Sequence, residues 1–350
     1  MKRYLTTLFF LPLFLVFLSP RSQAQSFENA VDYLEYINKA NTELTTKYLV
    51  YQSAVAHGKS ARKVEKRRFE VLNSITDTRA TISSMPPWKG DRSLKDTSVN
   101  YLKILFSVFS EDYGKIVNME EIAEQSYDGM EAYLLAQEKA NEKLNEAGKR
   151  QHEEQRAFAK KNNITLLENE SELEAKLKVV SEVMGHCNEV YLVFFKCYKQ
   201  EAYLMDAISK KNLVSIEQNI SSLRKFADEG MEKLKGFKGY EGDASLIAAC
   251  RNMLSYYKTE AGKGPVINDY FLKEEEFVKI KKQFDATPAS KRTQPDVDKY
   301  NNAVNDINTV LNKFNDAMND LNKQGTSALN DWNKTYSKYM DEHMPKQARQ

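Results

Sequence analysis

Apolar residues recur at three- and four-residue steps along nearly the whole chain, the periodicity of one buried face on an α-helix, and no stretch alternates as a strand would. The spacing predicts a first helix over about 27–56, with Leu34, Ile37, Leu44, Tyr48, Tyr51 and Val55 on one stripe and Asn41 in the seam, where a single buried amide fixes register. His57-Gly58 ends that helix; a second runs from Ser60 to Ser84 and stops at Pro86-Pro87. After a third helix, a fourth is expected to start with Asn118 as its cap and to continue to about Lys161. Its part from Asn145 onward is polar almost all round, the pattern of a solvent-bridging connector. A linker follows over 162–170, and Ser171 with Glu174 forms a capping box opening a helix through Ile208. Helices over 213–235, 245–261 and 265–285 come next, then a loop over 286–295, then a last helix over 296–344.

Part of this pattern occurs twice. Trp88-Lys89-Gly90-Asp91-Arg92-Ser93-Leu94 returns 152 positions later as Tyr240-Glu241-Gly242-Asp243-Ala244-Ser245-Leu246. Upstream, Val64-Glu65 pairs with Ile216-Glu217, Val71 with Leu223, Ile75 with Ala227 and Ile82 with Leu234, so the correspondence covers an apolar face. The expected architecture is all-α: two tandem, internally duplicated antiparallel bundles with long coiled-coil-like helices. Repeat 1 spans 25–165, and repeat 2 spans 166–350 with the long C-terminal helix. The repeated motif itself reads as mechanical. Gly90 and Gly242 turn the chain, Asp91 or Ser93 and Asp243 or Ser245 cap the next helix, and Leu94 and Leu246 enter the core.

The last helix carries Tyr300, Val304, Ile307, Leu311, Phe314, Met318 and Leu321 at four-three spacing, a coiled-coil seam. An asparagine follows each of them, at 301, 305, 308, 312, 315, 319 and 322. These seven amides form either a hydrogen-bonding ladder for a glycan or partner or an uncharged solvated flank. The segment Val190-Tyr191-Leu192-Val193-Phe194-Phe195 presents two apolar faces: Val190, Val193, Phe194 and Cys197 on one, Tyr191, Phe195 and Tyr198 on the other. One seam cannot bury both. Another helix of the chain is expected to cover the second face, with a partner or self-association as the alternative.

Composition changes the picture at the N-terminus. Lys2 and Arg3 precede an apolar run from Leu8 to Leu18, and Ser22-Gln23-Ala24 places small residues where a signal peptidase reads, so 1–24 reads as a secretory signal. The run is too short to span a bilayer. The only cysteines are Cys187, Cys197 and Cys250, so none stands at the cleavage site to be acylated, and the mature chain is expected to lie in the periplasm or outside the cell, not as a lipoprotein. Losing Lys2, Arg3 and Arg21 leaves 48 basic residues against 49 acidic, a balance that excludes a nucleic-acid binder, and no membrane span follows. Cys187 and Cys197, about 15 Å apart along one helix, cannot pair. Buried thiols are the expectation, and a Cys197–Cys250 bridge is the alternative.

Chemistry is sparse. The four histidines, His57, His152, His186 and His343, are scattered, and the motifs of zinc, haem, phosphate-loop or nucleophile-elbow sites are missing, so neither an enzyme nor a cofactor is expected. Gly185-His186-Cys187-Asn188-Glu189 places His186 and Glu189 three apart, and the fragment faintly resembles the Gly-x-His-x-x-Glu signature of imelysin-like proteins, which implies a metal or ligand site there. Lys59, Arg62, Lys63, Lys66 and Arg67 cluster where an anionic glycolipid or acidic partner could bind, although in a chain of balanced charge a solvated face is the ordinary explanation. Arg68 turns inward, as an ion-paired core-edge residue.

Four strings point further: Ser-Ala-Val-Ala-His-Gly-Lys-Ser-Ala-Arg-Lys-Val-Glu from Ser53, Met-Glu-Glu-Ile-Ala-Glu-Gln-Ser-Tyr from Met119, Phe-Phe-Lys-Cys-Tyr-Lys-Gln-Glu-Ala-Tyr-Leu from Phe194 and Asp-Trp-Asn-Lys-Thr from Asp331. Together they resemble an uncharacterised family of helical surface and envelope proteins of Gram-negative bacteria. The resemblance covers nearly the whole mature chain. It implies export and a helical fold and brings no catalytic residue; another envelope protein or self-association is the expected partner.

Overall fold

The computed structural model describes residues 27–57, 60–166 and 172–345. The expected signal over 1–24, Lys59 with Gly58, and the Ser171 cap lie outside the described residues. Within them the protein is all-α: α1 (Ala30–Ala56), α2 (Ala61–Ser84), α3 (Ser93–Ser107), α4 (Tyr113–Ala123), α5 (Tyr127–Lys161), α6 (Glu172–Ser209), α7 (Leu213–Lys233), α8 (Ser245–Gly262), α9 (Gly264–Ala286) and α10 (Gln294–His343). No helix among the described residues is long and apolar enough to cross a membrane.

Two apolar cores organise these helices. The first joins α1 to α5 through Tyr33, Ile37, Ile75, Ile82, Leu94, Leu102, Phe109 and Phe158. The second joins α6 to α10 through Val183, Val190, Phe194, Leu223, Leu246, Leu254, Tyr257 and Trp332. The last turns of α1 cross over, because Leu49 and Ala56 are buried in the second core. Arg68, 7 % exposed, sits at the edge of the first; its guanidinium donates twice to Glu65, at 2.6 and 2.8 Å, and once to the Phe109 carbonyl. Asn41 presents a buried Oδ1 without a hydrogen-bond partner.

Two expectations are corrected. Asn118 does not open a helix. A single π-helical turn, Val108–Asp112, carries α3 on into α4, and the break falls at Ser126, whose hydroxyl accepts from the Gly129 amide at 3.0 Å. Nor is the second half of α5 a connector in solvent. It packs along α3 through Ala147, Gln151, Phe158 and Ala159, with Gln151 donating to the buried Ser98 hydroxyl at 2.8 Å. Apart from Phe158 this seam is made of two alanines and an amide, so residue-type periodicity does not register it.

The thiols of Cys187, Cys197 and Cys250 are free and buried, and burial pushes each up to about 12, which keeps them protonated and unreactive.

Candidate functional site

The repeated motif builds the same backbone at both places. Lys89 and Gly90 take φ of 47° and 86°, Glu241 and Gly242 take 49° and 89°, the two left-handed residues of a type I′ turn. Glycine is required at the second position of each, where an L side chain is strained. Asp91 then accepts from the Ser93 amide at 2.9 Å and Asp243 from the Ser245 amide at 2.8 Å, each satisfying the first amide of its helix, α3 or α8, from one position before the cap, which is Arg92 in one and Ala244 in the other. Leu94 and Leu246 are 2 % and 0 % exposed.

What closes on each turn differs. Lys161, at the end of α5, meets Asp91 at 2.6 Å, and Trp88 donates its indole N–H to Asn162 at 2.8 Å. At the second turn His343, at the end of α10, meets Asp243 at 2.8 Å, edge-on to Tyr240 and 4.4 Å from the Tyr339 ring. The Lys161 and Ser93 contacts hold the Asp91 carboxyl at about 2. For Asp243 burial acts upward, but the His343 and Ser245 hydrogen bonds outweigh it and leave the carboxyl lowered.

His186 stands beside this second cluster, its ring 6.0 Å from that of Tyr339, with Nε2 buried and unpartnered. Burial lowers its pKa, against the opposing pull of the Glu189 and Asp243 carboxylates. Glu189 itself is exposed, and among the described residues no three histidine, cysteine, aspartate or glutamate side chains gather as metal ligands.

The second aromatic face of α6 is covered from within at Phe195. Phe195, 2 % exposed, packs with Ala123 and Met130, flanked by Tyr127, Tyr133, Leu134 and Tyr191. Of the three candidate contact residues there, Phe195 is thus enclosed by the α4–α5 corner, Tyr191 is half-buried and Tyr198 is exposed. Arg62, Lys63 and Lys66 are exposed on α2, and Arg67 is held by Glu70 at 2.6 Å. A shallow groove between α3 and α5, lined by Asp96, Asn100, Tyr101, Ala147, Arg150 and Glu153, offers side chains already in use: Arg150 pairs with Glu146 and Asp96 with Arg92.

The hairpin of α9 and α10 leaves apolar residues unburied. Ile267 and Phe271 of α9 root it in the second core, and Phe314 of α10 stacks on Tyr270 at 4.5 Å. Among residues 272–313 only Val310, 8 % exposed, is buried, and none of them is joined to either core. There, half-buried Phe277, Ile280 and Phe284 of α9 face half-buried Tyr300, Val304, Ile307 and Leu311 of α10, and Tyr300 stacks on Phe284 at 4.4 Å. At 1.5 Å per residue this two-helix arm reaches about 20–30 Å past its root. Its tip is well fastened: Thr293 and Asp296 form a reciprocal capping box, and the Arg292 guanidinium lies 4.1 Å over the Phe284 ring while donating to the Thr287 carbonyl. Leu272 and Val278 are 56 % and 57 % exposed on its outside, and all seven asparagines from 301 to 322 face solvent. The four-three seam was legible in the sequence; that only two helices share it was not.

Comparison with family models, with curated proteins and with solved structures finds no match for this chain.

Proposed function

We propose that this protein is an exported, non-enzymatic envelope protein, a helical scaffold that presents the α9–α10 arm to a protein partner. The arm carries the reading. Apart from Val310, the apolar residues along the arm are at most half-buried, and exposed apolar area of that kind marks an interaction surface. Leu272 and Val278 supply the apolar contacts, and the asparagine flank supplies uncharged hydrogen-bonding groups around them. Export is supported by Lys2-Arg3, the Leu8–Leu18 run and Ser22-Gln23-Ala24, and by the resemblance to helical envelope proteins. The basic cluster at Arg62, Lys63 and Lys66 is the competing contact surface.

Site-specific photo-cross-linking in a Gram-negative host tests this. Probes at Val278 and Asn305 are expected to give the same adduct, and Leu272→Asp is expected to reduce it about tenfold, equivalent to about 1.4 kcal/mol of binding. Adducts that arise from Arg62 and not from the arm would move the interface to α2 and overturn the proposal.

The second reading, a metal- or ligand-binding protein of the imelysin-like kind acting through His186 and Glu189, is favoured by one observation, the buried unpartnered Nε2 of His186. Stoichiometric metal in the native protein, lost in His186→Ala, would establish it in place of the first.

A further inference from the structure

Just below the root of the arm, the core between α6, α8 and α10 contains two acids. Glu260 of α8 is fully buried, and neither of its carboxyl oxygens has a hydrogen-bond partner among the described residues. The charged group that acts on it is another carboxyl, Glu201 of α6. Glu201 accepts from the Tyr256 hydroxyl at 2.9 Å, while the Tyr257 hydroxyl nearby is buried and has no hydrogen bond of normal geometry.

Among the described residues the neighbouring helices supply no compensating cation. Arg224 of α7 reaches this level, but donates to the Ala261 carbonyl at 3.1 Å. Asn268 of α9 donates to Glu217 at 3.4 Å. From α10 comes Gly325, packed so closely that a Cβ there would stand 2.6 Å from the Tyr256 hydroxyl oxygen. Two ionised carboxylates in such a place would each lose their hydration without a partner charge, and they would repel one another.

We propose that the Glu201–Glu260 pair is a proton-binding site that holds α10 against α8, and that release of this proton in mildly alkaline medium loosens the joint below the arm. It concerns how the arm is held, not what the arm touches. Burial first, and the Glu201 carboxylate second, push Glu260 up to about 8, so Glu260 keeps its proton at neutrality. The sign follows from linkage. Between the ordinary value of 4.5 and about 8 the folded chain binds more protons than the unfolded one, so this contribution to stability is complete below that window and declines as pH rises through it. Above about pH 8 two charges face each other behind Gly325, where α10 has no room to give except by moving away.

Carboxyl-carbon NMR of the full chain, labelled at glutamate, reads the site directly. The Glu260 resonance, assigned by its absence in E260Q, is expected to titrate near pH 8. Amide exchange of α8 and of α10 around Gly325, corrected for intrinsic base catalysis, should rise about tenfold between pH 7 and 9. Neither α3 nor α5 should follow, and E260Q should abolish the rise. A Glu260 midpoint in the ordinary carboxylate range, or the same loosening in E260Q, would overturn the proposal. Should E260Q fail to fold, E201Q decides, because removing the like charge must lower the Glu260 midpoint, and an unmoved midpoint sinks the pair.

Discussion

At Gly90 the carboxylate of the turn is met by a lysine in solvent; at Gly242 the matching carboxylate is met by a histidine inside an aromatic enclosure. Lys161 is 68 % exposed, whereas His343 is 15 % exposed between Tyr240 and Tyr339. The backbone, the capping amide and the anchoring leucine are shared, so the turn itself is a solved mechanical problem in both places. Only the closure differs. Each closing group sits at the C-terminal end of a long helix, where a cation also suits the helix dipole. One fastening is thus an exposed ion pair, while the other, on the helix that carries the arm, is a contact enclosed by aromatic rings.

The comparison breaks first at the leucines if it is wrong. Leu94→Ala and Leu246→Ala should each cost about 2–5 kcal/mol in denaturant unfolding, because each removes a buried side chain from a packed core. A cost below about 0.5 kcal/mol at either one, the range of surface changes, would show that the two turns are not anchored alike.

The closures should then separate. His343→Ala leaves the partly buried Asp243 carboxylate unpaired and should cost about 1–2 kcal/mol, whereas Lys161→Ala removes an exposed ion pair and should cost less than about 0.5 kcal/mol. Equal losses in thermal melts would erase the contrast.

The smallest effect is in pH dependence, and the two tryptophans report it separately, since Trp88 packs against the first core and Trp332 is buried in the second. Burial lowers the pKa of His186, so the folded state resists its protonation. The stability this gives is fully present above the ordinary value of 6.5 and is lost as pH falls below it. For Asp91 the loss comes only as pH falls from 3.8 toward about 2. Between pH 7 and 5 the Trp332 transition in Trp88→Phe should lose stability relative to the same protein carrying His186→Ala, which keeps the opposing gain from Glu260 protonation, and the Trp88 transition in Trp332→Phe should hold. A coincident shift of both would show that the two cores unfold as one unit.

Much of this arrangement could be read in advance, and the exceptions share a cause. The bounds of α1, α2 and α6 to α10 follow from apolar spacing and from glycine, proline and threonine punctuation, and the paired Gly-Asp motif announced two identical turns. Seams made of small or polar residues escaped, as along Ala147 and Gln151, where burial comes from the neighbour's shape and not from the residue's own character. The π turn at Val108–Asp112 escaped because one extra residue per turn leaves no mark in composition. Glu260 escaped for a related reason. A glutamate three positions after Tyr257 on a helix reads as a surface charge, and only the approach of α6 and α10 makes it a buried acid. The arm was visible as a seam but not as a projection, since local spacing does not record how many helices attend it.

A last consequence belongs to α10 as one unbroken element. Its 50 residues run about 75 Å from the fastened tip at Thr293 to the imidazole at Asp243, without a proline after Pro295 or any break in the helix. Such a rod transmits force. A sideways load at the tip is carried as torque past Gly325 to the far end, so that whatever grips the arm also pulls, with the leverage of a crowbar, on the histidine clasp at the opposite pole.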